Sequence, residues 1–335
     1  MKNKIEVIYS PEDNADNSYV EINKNIINSL DNFFINENVR LRDFLNLSSL
    51  LKRRFRKTIV VVNWLENLLR TQTGRVSLYG LFKYFSLLLL IKVHGAKLVY
   101  VRHNFYPHGL VKTSTKLVKK IIDIGQFFSD KKASLSPHLV CSGYRYLPHP
   151  LYNTRLPELC ISDNSNYYVI FGRIERYKNI EGIINGWSSK SKLIIAGSSN
   201  DNEYLSEIKN LSKNKNICIV CKKLSDLEAE KLIRGAAGLI ISHSNPNTIV
   251  SGSFFFGASC GAHILALKTD FLEFIYEQNQ YDGLIVVSSI EELNCEISKL
   301  SQSENRSSPE KLYDQATVNF GFSTVADSWT KVLTF

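Results

Sequence analysis

Three groups of side chains in this chain have the residue types and spacing for chemistry. The first lies in residues 167–197, YYVIFGRIERYKNIEGIINGWSSKSKLIIAG. Gly172 ends an apolar run, lets the backbone turn sharply and allows close approach to a ligand. Arg173 and Lys178 follow near the start of a helical stretch, where backbone N–H groups and the helix dipole also favour an anion. The set suits a phosphate, although two solvated cations on a surface turn would read the same way. A second group is Trp64 and Glu66, then His103, Asn104 and His108, each following an apolar run. Histidine is the side chain most easily set to exchange a proton near neutrality, and a partly buried glutamate can do the same. This group suits a general base; His103 and Asn104 as helix caps and Glu66 as a surface carboxylate are the alternative. The third group is Asn247, Ser251 and Gly252 in HSNPNTIVSGS. Amide, hydroxyl and backbone N–H groups there suit a ribose or phosphate, or simply an ordinary capped loop.

These groups must be positioned by the elements before them. Apolar runs at 5–9, 58–62, 98–101, 167–171, 193–196, 217–220, 238–242 and 263–267 predict strands. Helical patterning at 19–30, 42–51, from 78 onward, and at 179–187, 206–211, 226–234 and 249–258 falls between them. Regular alternation of this kind predicts an α/β chain with parallel sheets covered on both faces. In such sheets ligands sit outside the carboxyl ends of the strands, which is where all three groups fall. Closely spaced prolines in LPHPLY and a polar stretch at 162–166 predict a domain boundary. His149, inside it, reads as a linker residue without a role. The pattern gives domains at 1–155 and 156–318, with a C-terminal helix at 319–335 docking back on the body.

Composition narrows the class. The chain has 335 residues, 44% hydrophobic and 22% charged, which suits a soluble globular protein of two domains. Forty-one Lys and Arg against 32 Asp and Glu give a net charge of +9, which suits anionic partners. No RNP-like motif, zinc-finger spacing or long basic tail is present, so nucleic acid is disfavoured. Six scattered cysteines, including one C-x-x-C at 218 and 221 without further ligands, suit a reducing cytoplasm rather than a disulfide framework. Residues 78–93, LYGLFKYFSLLLLIKV, fall short of the roughly 20 apolar residues of a membrane span and predict a buried or interfacial helix. Residues 111–132 form a basic amphipathic stretch, suited to a domain-surface helix or to an anionic membrane surface. The basic run KRRFRK at 52–57 reads as a solvated helix end.

The segments FGRIERYKNIEGII, LIIAGSS, GLIISHSNPNTIVSGSFFFGASCGAHILA and FSTVADSW resemble the donor-binding half of GT-B glycosyltransferases of bacterial exopolysaccharide and lipopolysaccharide assembly. VVNWLEN and LVYVRHNFYPHG resemble Trp-x-Glu and His-Asn-x-x-Pro-His elements of some of these enzymes. The resemblance covers most of the chain. It implies two Rossmann-like domains facing across a cleft, the second holding a UDP- or GDP-sugar. Arg173 and Lys178 would then neutralise the diphosphate leaving group, so that no divalent metal or other cofactor is required. Gly172, Asn247, Ser251 and Gly252 would meet the sugar, ribose or phosphate, with Lys223 and Leu224 near the base. Glu66, His103 and His108 would be candidate bases, with Trp64 and Asn104 on the acceptor side. The acceptor would be a glycan or lipid-linked glycan, with peripheral contact at the inner face of the plasma membrane. Many retaining members carry two glutamates seven residues apart where this chain has Asn-x-x-x-Ser-Gly and no glutamate. That departure resembles an inverting subgroup. It also leaves open a nucleotide-sugar 2-epimerase on the same scaffold, or a non-catalytic glycan- or lipid-binding protein.

Overall fold

The computed structural model describes residues 4–12, 18–45, 57–107, 109–152, 166–243, 249–302 and 306–335. His108, Asn247 and most of the basic run at 52–57 lie outside the described residues. The chain divides into two compact units, Met1–Pro150 with Phe322–Phe335, and Leu151–Gly321.

The first unit is built on β1 (Ile5–Ser10), β2 (Phe33–Ile35), β3 (Thr58–Asn63), β4 (Lys97–Arg102), β5 (Lys131–Ser134) and β6 (Arg145–Tyr146). All pairings are parallel, in the order β2-β1-β3-β4-β5-β6. Strand β3, TIVVVN, is buried at every residue, as a central parallel strand covered on both faces must be. Between the strands run α1 (Ser18–Ser29), α2 (Leu78–Val93) and α3 (Thr115–Gly125). Tyr84, Leu87, Leu88 and Ile91 of α2 join Val118 and Ile122 of α3 against Ile8, Val60, Val62 and Leu98. The basic stretch at 111–132 is not one helix. A short turn precedes α3, and Lys131 and Lys132 open β5. KKAS carries no apolar run, so only its pairing with β4 and β6 makes it a strand. Of the helix expected at 42–51, the first residues belong to a 3-10 turn, Leu41–Leu45, and 46–51 lie outside the described residues.

The second unit carries β7 (Tyr167–Phe171), β8 (Lys192–Ala196), β9 (Ile217–Val220), β10 (Gly238–Ile241), β11 (Ile264–Leu267) and β12 (Leu284–Val287). The sheet is again all parallel, ordered β12-β11-β10-β7-β8-β9. Its helices are α4 (Ile180–Gly186), α5 (Asn202–Leu211), α6 (Asp226–Arg234), α7 (Gly252–Ser259), α8 (Asp270–Glu277), α9 (Ile290–Gln302) and α10 (Pro309–Phe320). Tyr168 and Ile170 of β7 pack against Ile183, Ile184 and Tyr204, whereas Val169 packs with Phe254 and Phe255 of α7. Alternate side chains of one strand thus bury on opposite faces.

The last helix, α11 (Phe322–Leu333), returns to the first unit. Trp329 is fully buried there, its ring edge-on to Tyr9 at 6.1 Å. Its indole N–H donates to Asn23 Oδ1 at 2.6 Å, and Asn23 Nδ2 donates to the Tyr19 carbonyl at 2.8 Å. Trp329→Ala removes the ring and strands the Asn23 acceptor, so it should destabilise the first unit by about 3–5 kcal/mol. Urea denaturation of the full chain should show this as an earlier transition, while Phe322→Ala, at a half-exposed site, should leave the midpoint nearly unchanged.

Candidate functional site

In the second unit the chain lays down β7, β8 and β9 in one direction, then returns to place β10 on the other side of β7. Strand order therefore reverses between β7 and β10, and loops leaving their carboxyl ends diverge to leave a crevice. Gly172 terminates β7 with φ +109°, and Gly197 terminates the neighbouring β8 with φ +152°. Neither tolerates a side chain. A Cβ on Gly197 would lie 2.0 Å from the Gly172 carbonyl oxygen, and one on Gly172 would lie 2.6 Å from the Lys178 ammonium.

Lys178 is 6% exposed, and its ammonium donates to the Phe171 carbonyl at 3.0 Å. The side chain thus curls back under Gly172. Ser253 also donates to the Phe171 carbonyl, at 3.2 Å, and Ser242 donates to the Lys178 carbonyl. Serines after β10 therefore lock the turn after β7, on both sides of the reversal. Burial, then the charge of Arg173, lowers the Lys178 pKa to about 8, with Glu175 opposing. An anion beside it would restore the charged form. Arg173 is 60% exposed and paired with Glu175 at 3.0 Å, so its charge is already shared. Ser251 is the N-cap of α7, its hydroxyl accepting the Phe254 N–H, and Gly252 opens the helix. Lys223 and Leu224 lie between β9 and α6, Lys223 exposed and Leu224 partly buried.

In the first unit the reversal falls between β1 and β3. Asn63, the last residue of β3, bridges it by donating from Nδ2 to the Ser10 carbonyl at 2.9 Å. A carbonyl only accepts, so this bond orients the amide and turns Oδ1 toward His103 Nε2, 2.9 Å away. His103 Nε2 must then carry the hydrogen, and Nδ1 keeps its lone pair. Trp64, held in the left-handed region at φ +50°, stacks on the His103 ring at 4.0 Å. A bulky residue is rarely found in that conformation, and the stack is what it achieves here. Tyr19 meets His103 edge-on at 5.1 Å and His149 at 4.8 Å. Burial, aided by nearby His149, holds the His103 pKa well below the usual range, and burial brings that of His149 to about 4.

Glu66 is fully enclosed. Tyr100 donates to its Oε2 at 3.5 Å, and Oε1 has no hydrogen bond of ordinary geometry among the described residues. Asn104 and Arg102 are near enough to favour the carboxylate, but burial dominates and raises the pKa to about 7. Arg102 is itself buried and fixes the loop carrying His103. It donates to the carbonyls of Asn104 and Phe105, to the Tyr144 hydroxyl and to Asp123.

The expectation that one rim would gather the base candidates holds for Trp64 and His103, whose rings stack, while Glu66 is fully buried with Asn104 and Arg102 near it. Sequence reading passed over Asn63, Tyr19, Ser242, Ser253 and the packing of His149. The polar end of the otherwise apolar TIVVVN was a signal for Asn63; the others show only once the strands are paired. Among the described residues no three His, Cys, Asp or Glu side chains are grouped as metal ligands would be.

No protein-family model and no curated sequence matches the chain. Solved structures do resemble it. HepE from Anabaena, in complex with UDP and again with UDP-glucose, is 11% identical with TM-score 0.68, covering 98% of this chain and 99% of its own. A glycosyltransferase from Rickettsia africae is 12% identical with TM-score 0.66, covering 99% and 98%. The lipopolysaccharide outer core galactosyltransferase WaaB is 11% identical with TM-score 0.63, covering 98% and 99%. At these identities the likeness is one of fold, and the chain has the GT-B architecture of two Rossmann-like units.

The enclosure of Glu66 has a measurable consequence. Its folded pKa of about 7 lies above the ordinary 4.5, so the folded state holds the proton longer. The stability this gives is complete below pH 4.5 and is lost as pH rises to about 7, by about 3 kcal/mol. His149, folded pKa about 4 against 6.5, acts oppositely, destabilising as pH falls through that window. The two partly cancel in the wild type. Denaturation curves between pH 4 and 8 should therefore reveal Glu66 as a declining difference between wild type and Glu66→Gln.

Proposed function

We propose that the chain is a glycosyltransferase that moves one sugar from a UDP- or GDP-sugar to a lipid-linked glycan acceptor, with inversion and without a divalent metal. The observation that carries this reading is the Lys178 ammonium, buried at the glycine-terminated end of β7 where strand order reverses. Among the described residues one of its three donors is occupied, by the Phe171 carbonyl. A pyrophosphate takes the others. The capped start of α7, at Ser251 and Gly252, adds backbone N–H groups of the kind that bind phosphate. The UDP and UDP-glucose complexes of HepE, on the same fold, support a nucleotide-sugar ligand by analogy.

In the reaction the acceptor hydroxyl oxygen bonds to the anomeric carbon as the carbon–oxygen bond to the diphosphate breaks. Lys178, with Arg173 released from Glu175, stabilises the negative charge that builds on the leaving oxygen. The hydroxyl proton passes to His103 Nδ1, the ring nitrogen that the Asn63 bond leaves unprotonated. Glu66 is assigned no part in that transfer and lies against the His103 loop with Tyr100, Asn104 and Arg102. The setting is the cytoplasmic side of a membrane.

Two measurements test this. Calorimetric titration with UDP or GDP at pH 8.5, in buffers of different ionisation enthalpy, should show proton uptake, because the diphosphate raises a lysine pKa that starts at about 8. Lys178→Met should abolish that uptake and lower turnover by about 10²–10³-fold. Binding of either nucleotide without uptake would remove Lys178 from the site. His103→Gln should retain nucleotide affinity but lose transfer, and NMR of the wild-type product should show the anomeric configuration inverted. Transfer at the wild-type rate in His103→Gln would place the base elsewhere.

A further inference from the structure

Glu66 is tied to both of the loops that make the His103 site. On one side it belongs to the short turn Leu65–Leu69, which follows directly on Trp64, the residue whose ring stacks on His103. That turn has no room to shift. Ser77 donates its backbone N–H to the Leu69 carbonyl at 3.0 Å, and a Cβ on Gly80 of α2 would fall 1.7 Å from the Leu68 carbonyl oxygen. On the other side Glu66 has Arg102 and Asn104 near it, the residues immediately before and after His103. Asn104 is partly exposed, so its amide is the neighbour with solvent on one side.

A fully buried carboxyl cannot change its charge without an answer from its neighbours. Glu66 Oε2 accepts a long bond from the Tyr100 hydroxyl, 3.5 Å, and Tyr100 accepts from Tyr84 at 3.4 Å. Protonated, the carboxyl both donates and accepts; ionised, it only accepts. An amide beside it can present its carbonyl oxygen to the first form but must present its NH2 to the second, and Asn104 is that amide. The ionised form also draws on Arg102, whose guanidinium holds the carbonyls of Asn104 and Phe105. Either response is passed to His103, which the chain carries between these two residues. The other titratable and charged groups here are few. Burial keeps the Tyr100 and Tyr84 phenols protonated, Arg102 does not lose its proton, and Asp123 and Tyr144 are both bound to Arg102 at 2.8 Å. His149, close to His103, titrates lower, at about 4.

We propose that Glu66 is a positioning residue for His103, its protonation state setting the orientation of the Asn104 amide and with it the placement of the imidazole. The proposal rests on the reading of His103 as the base only for its effect on transfer. The test follows the His103 ring by proton–nitrogen NMR of the histidine-labelled full chain, without donor or acceptor, with the signal assigned by its loss in His103→Gln. Burial keeps His103 itself neutral across neutral pH. Its resonances should nevertheless show an inflection near pH 7, that of Glu66. In Glu66→Gln, whose amide mimics the protonated carboxyl, the inflection should vanish and the signal should stay at the wild-type low-pH position. Tyr100→Phe removes a donor that favours the carboxylate, so it should move the inflection to higher pH. It keeps the carboxyl, and so tests the coupling even if Glu66→Gln fails to fold. A flat wild-type titration, an inflection that survives in Glu66→Gln, or one unmoved in Tyr100→Phe would overturn the proposal. The expected spectra together with identical pH profiles of transfer in wild type and Glu66→Gln would support the coupling and count instead against His103 as the base.

Discussion

Parallel pairing is the constraint on which the rest of this structure depends. Every described pairing in both sheets runs the same way, so every strand delivers its carboxyl end to one edge and must be reached again by a crossover. The crossovers cover both faces, which is why β3, β10 and β11 are buried along their whole length. Polar groups have no room within such a sheet. They collect at the edge, and the reversal of strand order decides which of them meet. In the second unit that brings Gly172 and Lys178 to Ser242 and Ser253; in the first it brings Asn63 to Ser10 and His103.

The two sites use burial in opposite ways. Lys178 is a cation whose charged form is disfavoured until an anion arrives. His103 is a histidine kept neutral by burial, with its tautomer fixed by an amide that is itself fixed by a carbonyl. Arg102 carries no such ambivalence, since four acceptors surround its guanidinium and its charge serves to hold a loop. Lys178 has one donor engaged of three among the described residues, against four of five in Arg102, and that is the physical basis for treating it as the ligand-facing group.

Much of this was legible from residue types alone, because an apolar run ending in glycine and followed by spaced cations is a local pattern. The βα alternation, Gly172, Lys178, Trp64 and His103 were readable for that reason. What escaped was non-local. Strand β5 is half lysine, and its identity rests on its neighbours β4 and β6. The fate of Glu66 depends on Tyr100 and Arg102, 34 and 36 positions away. Helices α8, α9 and α10 went unread because their apolar residues are spaced among charges, and each becomes regular only against its packed face; strand β12, LIVV, is a continuous apolar run that the reading passed over.

The route of the chain carries one more consequence. Leu151, where the second unit begins, donates its backbone N–H to the carbonyl of Phe320, where that unit ends, at 3.1 Å. Meanwhile α11 completes the first unit with Trp329. The second unit is therefore a closed cassette spliced into the first, clasped at its own entrance. Exchanging residues 151–321 for the equivalent piece of another protein of this architecture would leave both ends of the host sheet's wrapping intact. Recombination could thus vary what one unit recognises without rebuilding the other.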